Sequence, residues 1–135
     1  MPISDSEIAS IRTFYDAVLT ANTELVKDFV DWGRLTIREP ESLPFGGEHK
    51  GREGFLKLVR SIAGYFKDVR FEDIQICAGE NMAITFMTMH VVIRATGQSL
   101  SFPVTEVFFL KGGKIVHIQP HYWDTHAILQ NLKAN

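Results

Sequence analysis

The chain has 135 residues, with 14 Lys or Arg against 16 Asp or Glu and a net charge of −2. This length suits one domain, spanning 1–135, built round a single core. Charges this balanced and scattered argue against a nucleic-acid or anionic-lipid surface, which leaves small neutral molecules as the expected partners. The lone Cys77 excludes an internal disulfide and reads as a packed thiol near a strand end. The opening Met-Pro-Ile-Ser-Asp-Ser-Glu has neither a basic n-region nor an apolar h-region, and the longest apolar stretch, 82–93, is interrupted and too short to span a bilayer. The expectation is a cytoplasmic protein with no membrane partner.

In chain order, Ser4-Asp-Ser-Glu7 is a capping box flanked by Ile3 and Ile8 as a hydrophobic staple, so a helix starts here and carries Ile11, Phe14, Tyr15, Val18 and Leu19 at helical spacing. Asn22 offers a second cap ahead of Leu25, Val26, Phe29 and Val30, which predicts a second helix ending near Gly33. Residues 34–39 alternate as a short strand halted by Pro40, and the following loop, with Pro44 and Gly46-Gly47, is a candidate lid. From Gly51, the spacing of Phe55, Leu58, Val59, Ile62 and Phe66 describes a third amphipathic helix.

After Lys67 the chain reads as strand. Runs 69–77, 82–94, 99–110 and 115–122 are separated by turn signals, the clearest being Gly112-Gly113, whose positive φ angles suit a two-residue hairpin. The apolar phase of the first run changes before Ile74, which predicts a bulge near Glu72-Asp73, and Pro103 requires a bulge or a non-bonded position. Asp124-Thr125 caps a short C-terminal helix carrying Ala127, Ile128 and Leu132. The sum is an α+β domain with three N-terminal helices packed on a strongly bent antiparallel sheet.

Period-2 alternation places Phe102, Val104, Glu106, Phe108 and Leu110 on one face of the third long run. A carboxylate among four large apolar side chains is costly when ionised, so Glu106 is expected to keep its proton or serve a task. The opposite face, with Pro103, Thr105, Val107 and Phe109, is also apolar. With Met87, Met89, Val91 and Ile93 assigned beside it, this outer face predicts a homodimer.

Three stretches carry a resemblance that covers the whole chain: Arg38-Glu39-Pro40, the Gly-Gly-Glu-His-Lys-Gly-Arg-Glu-Gly-Phe run 46–55, and the 104–123 hairpin from Val-Thr-Glu-Val-Phe-Phe-Leu-Lys-Gly-Gly-Lys-Ile to Tyr-Trp. They resemble the NTF2-like superfamily, which includes ketosteroid isomerases, SnoaL-type polyketide cyclases and limonene epoxide hydrolases. The resemblance implies a cone enclosing an apolar pocket, with Tyr15 as an oxyanion donor, Glu39 as catalytic base and Glu106 as second oxyanion donor, the roles of the isomerase, whose surroundings tune its carboxyl pKa values. Both acids are Glu where that family has Asp. Glu106 also matches the acid/base position of the cyclases. The epoxide hydrolase pattern is absent, because its polar pair would fall near Met89 and Val91.

The expected pocket wall comprises Phe14, Trp32, Phe55, Val59 and Phe86, then Phe102, Val104, Phe108, Tyr122 and Trp123, with His90 as a polar liner on the face shared by Met82, Ile84, Phe86, Thr88 and Val92. No metal is expected: His117 and His121 share a strand face about 13 Å apart, and no ligand-spacing motif is present. Two functions remain open on these residues. One is a cofactor-independent isomerase or cyclase moving a proton on a small apolar carbonyl compound; the other is a non-catalytic ligand-binding or accessory domain.

Overall fold

The computed structural model describes residues 2–133. Helix α1 (Asp5–Thr20) begins as expected, with the Glu7 N–H donating to Ser4 Oγ at 3.2 Å and the Ser4 N–H to Glu7 Oε1 at 2.8 Å. It stops at Ala21, which adopts a left-handed φ of 56°. The helix expected after Asn22 is absent, and only a 3₁₀ turn forms, over Thr23–Val26. The reason lies far along the chain. Phe29 C=O accepts from the Ile115 N–H and the Asp31 N–H donates to Ile115 C=O, so sheet bonding takes the backbone groups that a helix would need. The N-terminal half thus holds two helices, α1 and α2 (Gly51–Tyr65), and α3 (Thr125–Lys133) closes the chain with its Ala127 N–H donating to Asp124 Oδ1.

Six strands, β1 (Thr36–Glu39), β2 (Gly47–Lys50), β3 (Phe66–Gly79), β4 (Met82–Ile93), β5 (Ser99–Lys111) and β6 (Lys114–Tyr122), form one curved sheet in the order β2-β1-β6-β5-β4-β3. The meander β3 to β6 is antiparallel throughout, and Gly112 and Gly113 turn its last hairpin with φ of 59° and 78°. The expected bulge appears as a register shift between Glu72 and Gln75 with Asp73 at φ 56°, and a second shift occurs at Asp68. Both bend β3 about the helices. Pro103 causes no shift: its C=O accepts from the Trp123 N–H, so its donor-less nitrogen faces the side where β6 has ended.

Strand β1 joins the sheet parallel to β6, pairing Thr36 with His117 and Ile37 with Ile118, and β2 folds back antiparallel on its far side. The loop between them is packed rather than a lid. Leu43 and Phe45 are buried, and the Phe45 ring meets Phe66 and Tyr122. Gly46 makes that turn possible, since a Cβ there would lie 2.2 Å from Pro40 O.

The core fills the concave side of the sheet beneath α1 and α2, where Phe14 packs edge-on against both Phe55 and Phe108. One phase of the sequence reading is reversed. Thr85 pairs with Glu106, Met87 with Val104 and Met89 with Phe102, so the odd-numbered residues of β4 face inward. Met87, Met89, Val91 and Ile93 are therefore core, whereas Ile84, Phe86 and His90 point out. Cys77, paired with Ile84, is exposed on the same convex face rather than packed. Among the described residues no helix is long and apolar enough to cross a membrane.

Candidate active site

A cavity of about 510 Å³ opens between the concave face and the two long helices. That volume lies within the usual range for small-molecule sites. Its walls are apolar: Phe14 and Val18 come from α1, Leu58, Val59 and Ile62 from α2, and Ile37, Ile118, Phe71 and Met89 from the sheet. Three carboxyl groups interrupt this lining: Glu39 and Glu106 among the apolar side chains, and the exposed Asp68.

The sheet register explains how Glu39 and Glu106 meet. Glu106 on β5 is opposite Pro120 on β6 and Thr85 on β4. Continuing the parallel pairing of Ile37 with Ile118 brings Glu39 on β1 level with Pro120. One transverse row thus reads Glu39, Pro120, Glu106, Thr85 across four neighbouring strands, all on the concave face. Pro120 sets an apolar ring between the carboxyls and supplies neither donor nor charge.

Each carboxyl is served by one tyrosine. The Tyr15 hydroxyl of α1 donates to Glu106 Oε1 at 2.6 Å, and the Tyr122 hydroxyl donates to Glu39 Oε1 at 3.0 Å. Among the described residues no ion pair reaches either acid. Glu39 is 4 % exposed, and burial raises its pKa to about 8, with the charge of Glu106 pushing the same way and the Tyr122 bond opposing. Burial likewise raises Glu106 to about 7, moderated by the Tyr15 bond. Glu106 is half-buried because its side of the strand opens on the cavity. Both tyrosines sit well above the usual phenol range, through burial first and the adjacent carboxylates second. They remain donors at any ordinary pH.

Thr85 ends the row, behind Glu106 and outside the cavity lining. It is fully buried, among the described residues its hydroxyl has no hydrogen-bond partner of proper geometry, and it lies close enough to Tyr15 to favour the phenolate. Sequence reasoning missed it, and also missed Pro120, because both matter only through the cross-strand row.

Of the expected site residues, Glu39, Glu106, Phe14, Phe55, Val59 and Tyr122 line the cavity. Tyr122 does more than form wall, since it bonds Glu39. Tyr15 is buried behind Glu106, to which its hydroxyl donates, and does not itself line the cavity. Phe102, Val104 and Phe108 are buried in the layer beneath, and Trp32 packs on Phe55 away from the opening. Three residues are misplaced. Phe86 is 54 % and Trp123 81 % exposed, while His90 on the convex face contacts Ser101 Oγ at 2.6 Å and Glu72 Oε2 at 3.2 Å. Among the described residues no three His, Cys, Asp or Glu side chains gather as a metal-holding group; His117 and His121 are separated by Gln119 in a surface ladder.

A bent sheet wrapped by helices about an apolar, carboxyl-bearing cavity is the NTF2-like architecture. The solved structures agree: an NTF2-like protein of unknown function from Burkholderia pseudomallei superposes with a TM-score of 0.85 over 97 % of this chain and 100 % of that one at 16 % identity. A candidate polyketide cyclase from a Silicibacter species gives 0.77 over 95 % and 96 % at 18 % identity. A protein with a ketosteroid isomerase-like fold from Catenulispora acidiphila, in complex with trimethylamine, gives 0.71 over 84 % of each chain at 12 % identity. Comparison with curated proteins gives no match. The SnoaL-like domain model matches residues 11–118, and the chain belongs to that family.

Proposed function

We propose that the protein is a cofactor-independent isomerase or cyclase-type enzyme that moves a proton on a small apolar carbonyl compound. The observation that carries this reading is the pair of cation-free carboxyls, each held by a tyrosine, on the wall of an apolar cavity. Two buried acids without a counter-charge resist double ionisation, so near neutral pH the pair keeps one proton. Glu106 accepts the shorter bond and ionises first, while its charge holds the proton on Glu39. The carboxylate of Glu106 then takes a proton from the carbon next to the carbonyl, and the Glu39 carboxyl donates a hydrogen bond to the oxygen as enolate charge develops there. Return of the proton from Glu106 to a different carbon completes an isomerisation with no net consumption of reagent. This assignment exchanges the roles that the family resemblance implies, and Tyr15 acts by orienting Glu106.

The test is deuterium exchange next to the carbonyl of small cyclic enones, followed by NMR in heavy water. Glu106→Gln is expected to lose roughly 10²- to 10⁴-fold in exchange rate while retaining ligand binding, with a smaller loss for Glu39→Gln. Ligands that bind the wild type without exchange would favour the non-catalytic binding domain instead.

The homodimer expected from sequence is proposed on a changed set of residues. Ile84, Phe86 and Phe109 are each about 40 % exposed or more, with Val107 between them, on the convex face. A contiguous apolar patch of this kind is unusual on a monomer. Sedimentation is expected to show a dimer that Phe86→Asp converts to monomer, and a monomeric wild type would overturn the proposal.

A further inference from the structure

The open end of the cavity differs from its floor. Arg60 on α2, Lys67 at the start of β3 and Arg94 just past β4 all line the opening, with Asp68 the one carboxylate beside them. Three cations against one anion is a local excess of positive charge in a chain whose net charge is −2. All three cations are exposed, and among the described residues none takes part in an ion pair. Arg94 is partly anchored, its Nε donating to Ala63 O at the C-terminal end of α2, whereas among the described residues Arg60 and Lys67 make no such bond. Their elements converge here because the Arg94 N–H donates to Tyr65 O, joining the end of β4 to the α2–β3 junction.

We propose that the ligand is amphipathic, with its apolar body in the cavity and an anionic group, a carboxylate or a phosphate, held at the rim by Arg60, Lys67 and Arg94. The inference rests on the cavity being a ligand site and adds the class of molecule it selects. Polarity fixes the orientation. An anion at the floor would face Glu39 and Glu106 with no cation to offset it, whereas at the rim it stays partly hydrated and meets unpaired positive charge. A ligand anchored in this way presents its far end, not its charged end, to the carboxyl pair.

Isothermal titration with octanoate, octyl phosphate and octanol at low salt tests this directly. At least one of the two anions is expected to bind roughly ten-fold tighter than octanol, and which one does so separates the carboxylate source from the phosphate source. Exposed charge pairs are modest, so Arg60→Gln/Lys67→Gln is expected to weaken the preferred anion by about three-fold per cation removed while leaving octanol unchanged. Raising salt to roughly 0.5 M should narrow the same gap in the wild type. Equal binding of all three compounds, or a preference that survives the double substitution, overturns the inference and leaves the cavity reading intact. Failure of all three to bind overturns both.

Discussion

Glu72 and Glu106 lie on opposite faces of one sheet, Glu72 on β3 pointing outward and Glu106 on β5 pointing in. Glu72 sits in water beside Arg70 and His90, where a carboxylate is well solvated and its neighbours contribute little to stability. Among the described residues Glu106 has no cation partner; it has one tyrosine donor and an apolar surround, and its pKa rises to about 7. The same side chain is therefore a solvated surface group on one side of a single layer and a carboxyl with raised proton affinity on the other. What separates the two is the curvature and helix cover that keep water from the concave face, and each of the following experiments probes that separation.

The largest effect is expected in the pH dependence of folding. In the unfolded chain Glu39 and Glu106 ionise near 4.5, whereas in the folded protein they hold their protons until about 8 and about 7. Below 4.5 both states are protonated and no penalty exists. As pH rises the unfolded state releases protons first, so stability falls until the folded groups titrate, at up to about 1.4 kcal/mol per pH unit per group. Denaturation midpoints of the wild type should drop between about pH 5 and pH 8, and Glu39→Gln/Glu106→Gln should flatten the curve. A wild-type profile as flat as that of the double variant would show that the carboxyls are solvated.

A smaller loss is expected on removing the donor behind Glu106. Tyr15→Phe leaves the ring in place but takes away a hydrogen bond to a charged group, a change of about 1.5–3 kcal/mol where Glu106 is ionised. The loss should shrink toward acid pH, where the acceptor is neutral, and should raise the pKa of Glu106 further. Urea titrations of both proteins at two pH values separate this from simple loss of packing, which would not depend on pH.

The convex face supplies the smallest effect. His90→Gln and Glu72→Gln, which break an exposed pair at 3.2 Å, should each change stability by no more than about 0.5 kcal/mol. Thermal melts at low and high salt check this. A larger loss would mean that His90 is structurally more than a surface residue.

The two faces also show where the sequence was readable. Local signals carried far: the Ser4–Glu7 box, the turn at Gly112-Gly113 and the change of phase near Asp73 all depend on residues close in the chain, and all appear in the structure. Glu106 announced itself because alternation alone isolates it among apolar neighbours. The inward phase of β4 did not, because both parities of residues 82–93 are largely apolar and only the pairing of Thr85 with Glu106 decides between them. His90 and Phe86 were misassigned for that reason. The helix expected near Leu25 failed on a contact with Ile115, and the bond from Tyr122 to Glu39 requires the parallel β1–β6 pairing, neither of which leaves a trace in nearby sequence.

The parallel docking of β1 on β6 also has a consequence for assembly. The two bonds that set the carboxyls join residues 91 and 83 positions apart, Tyr15 to Glu106 and Tyr122 to Glu39. Closing loops of that length is entropically unfavourable until much of the chain is already ordered, and topologies rich in such pairings fold slowly. During synthesis, Glu39 emerges long before its tyrosine and the strand that seats it. The carboxyl pair is therefore expected to acquire its raised affinity for protons among the last events of folding, which makes the site its own reporter of completion.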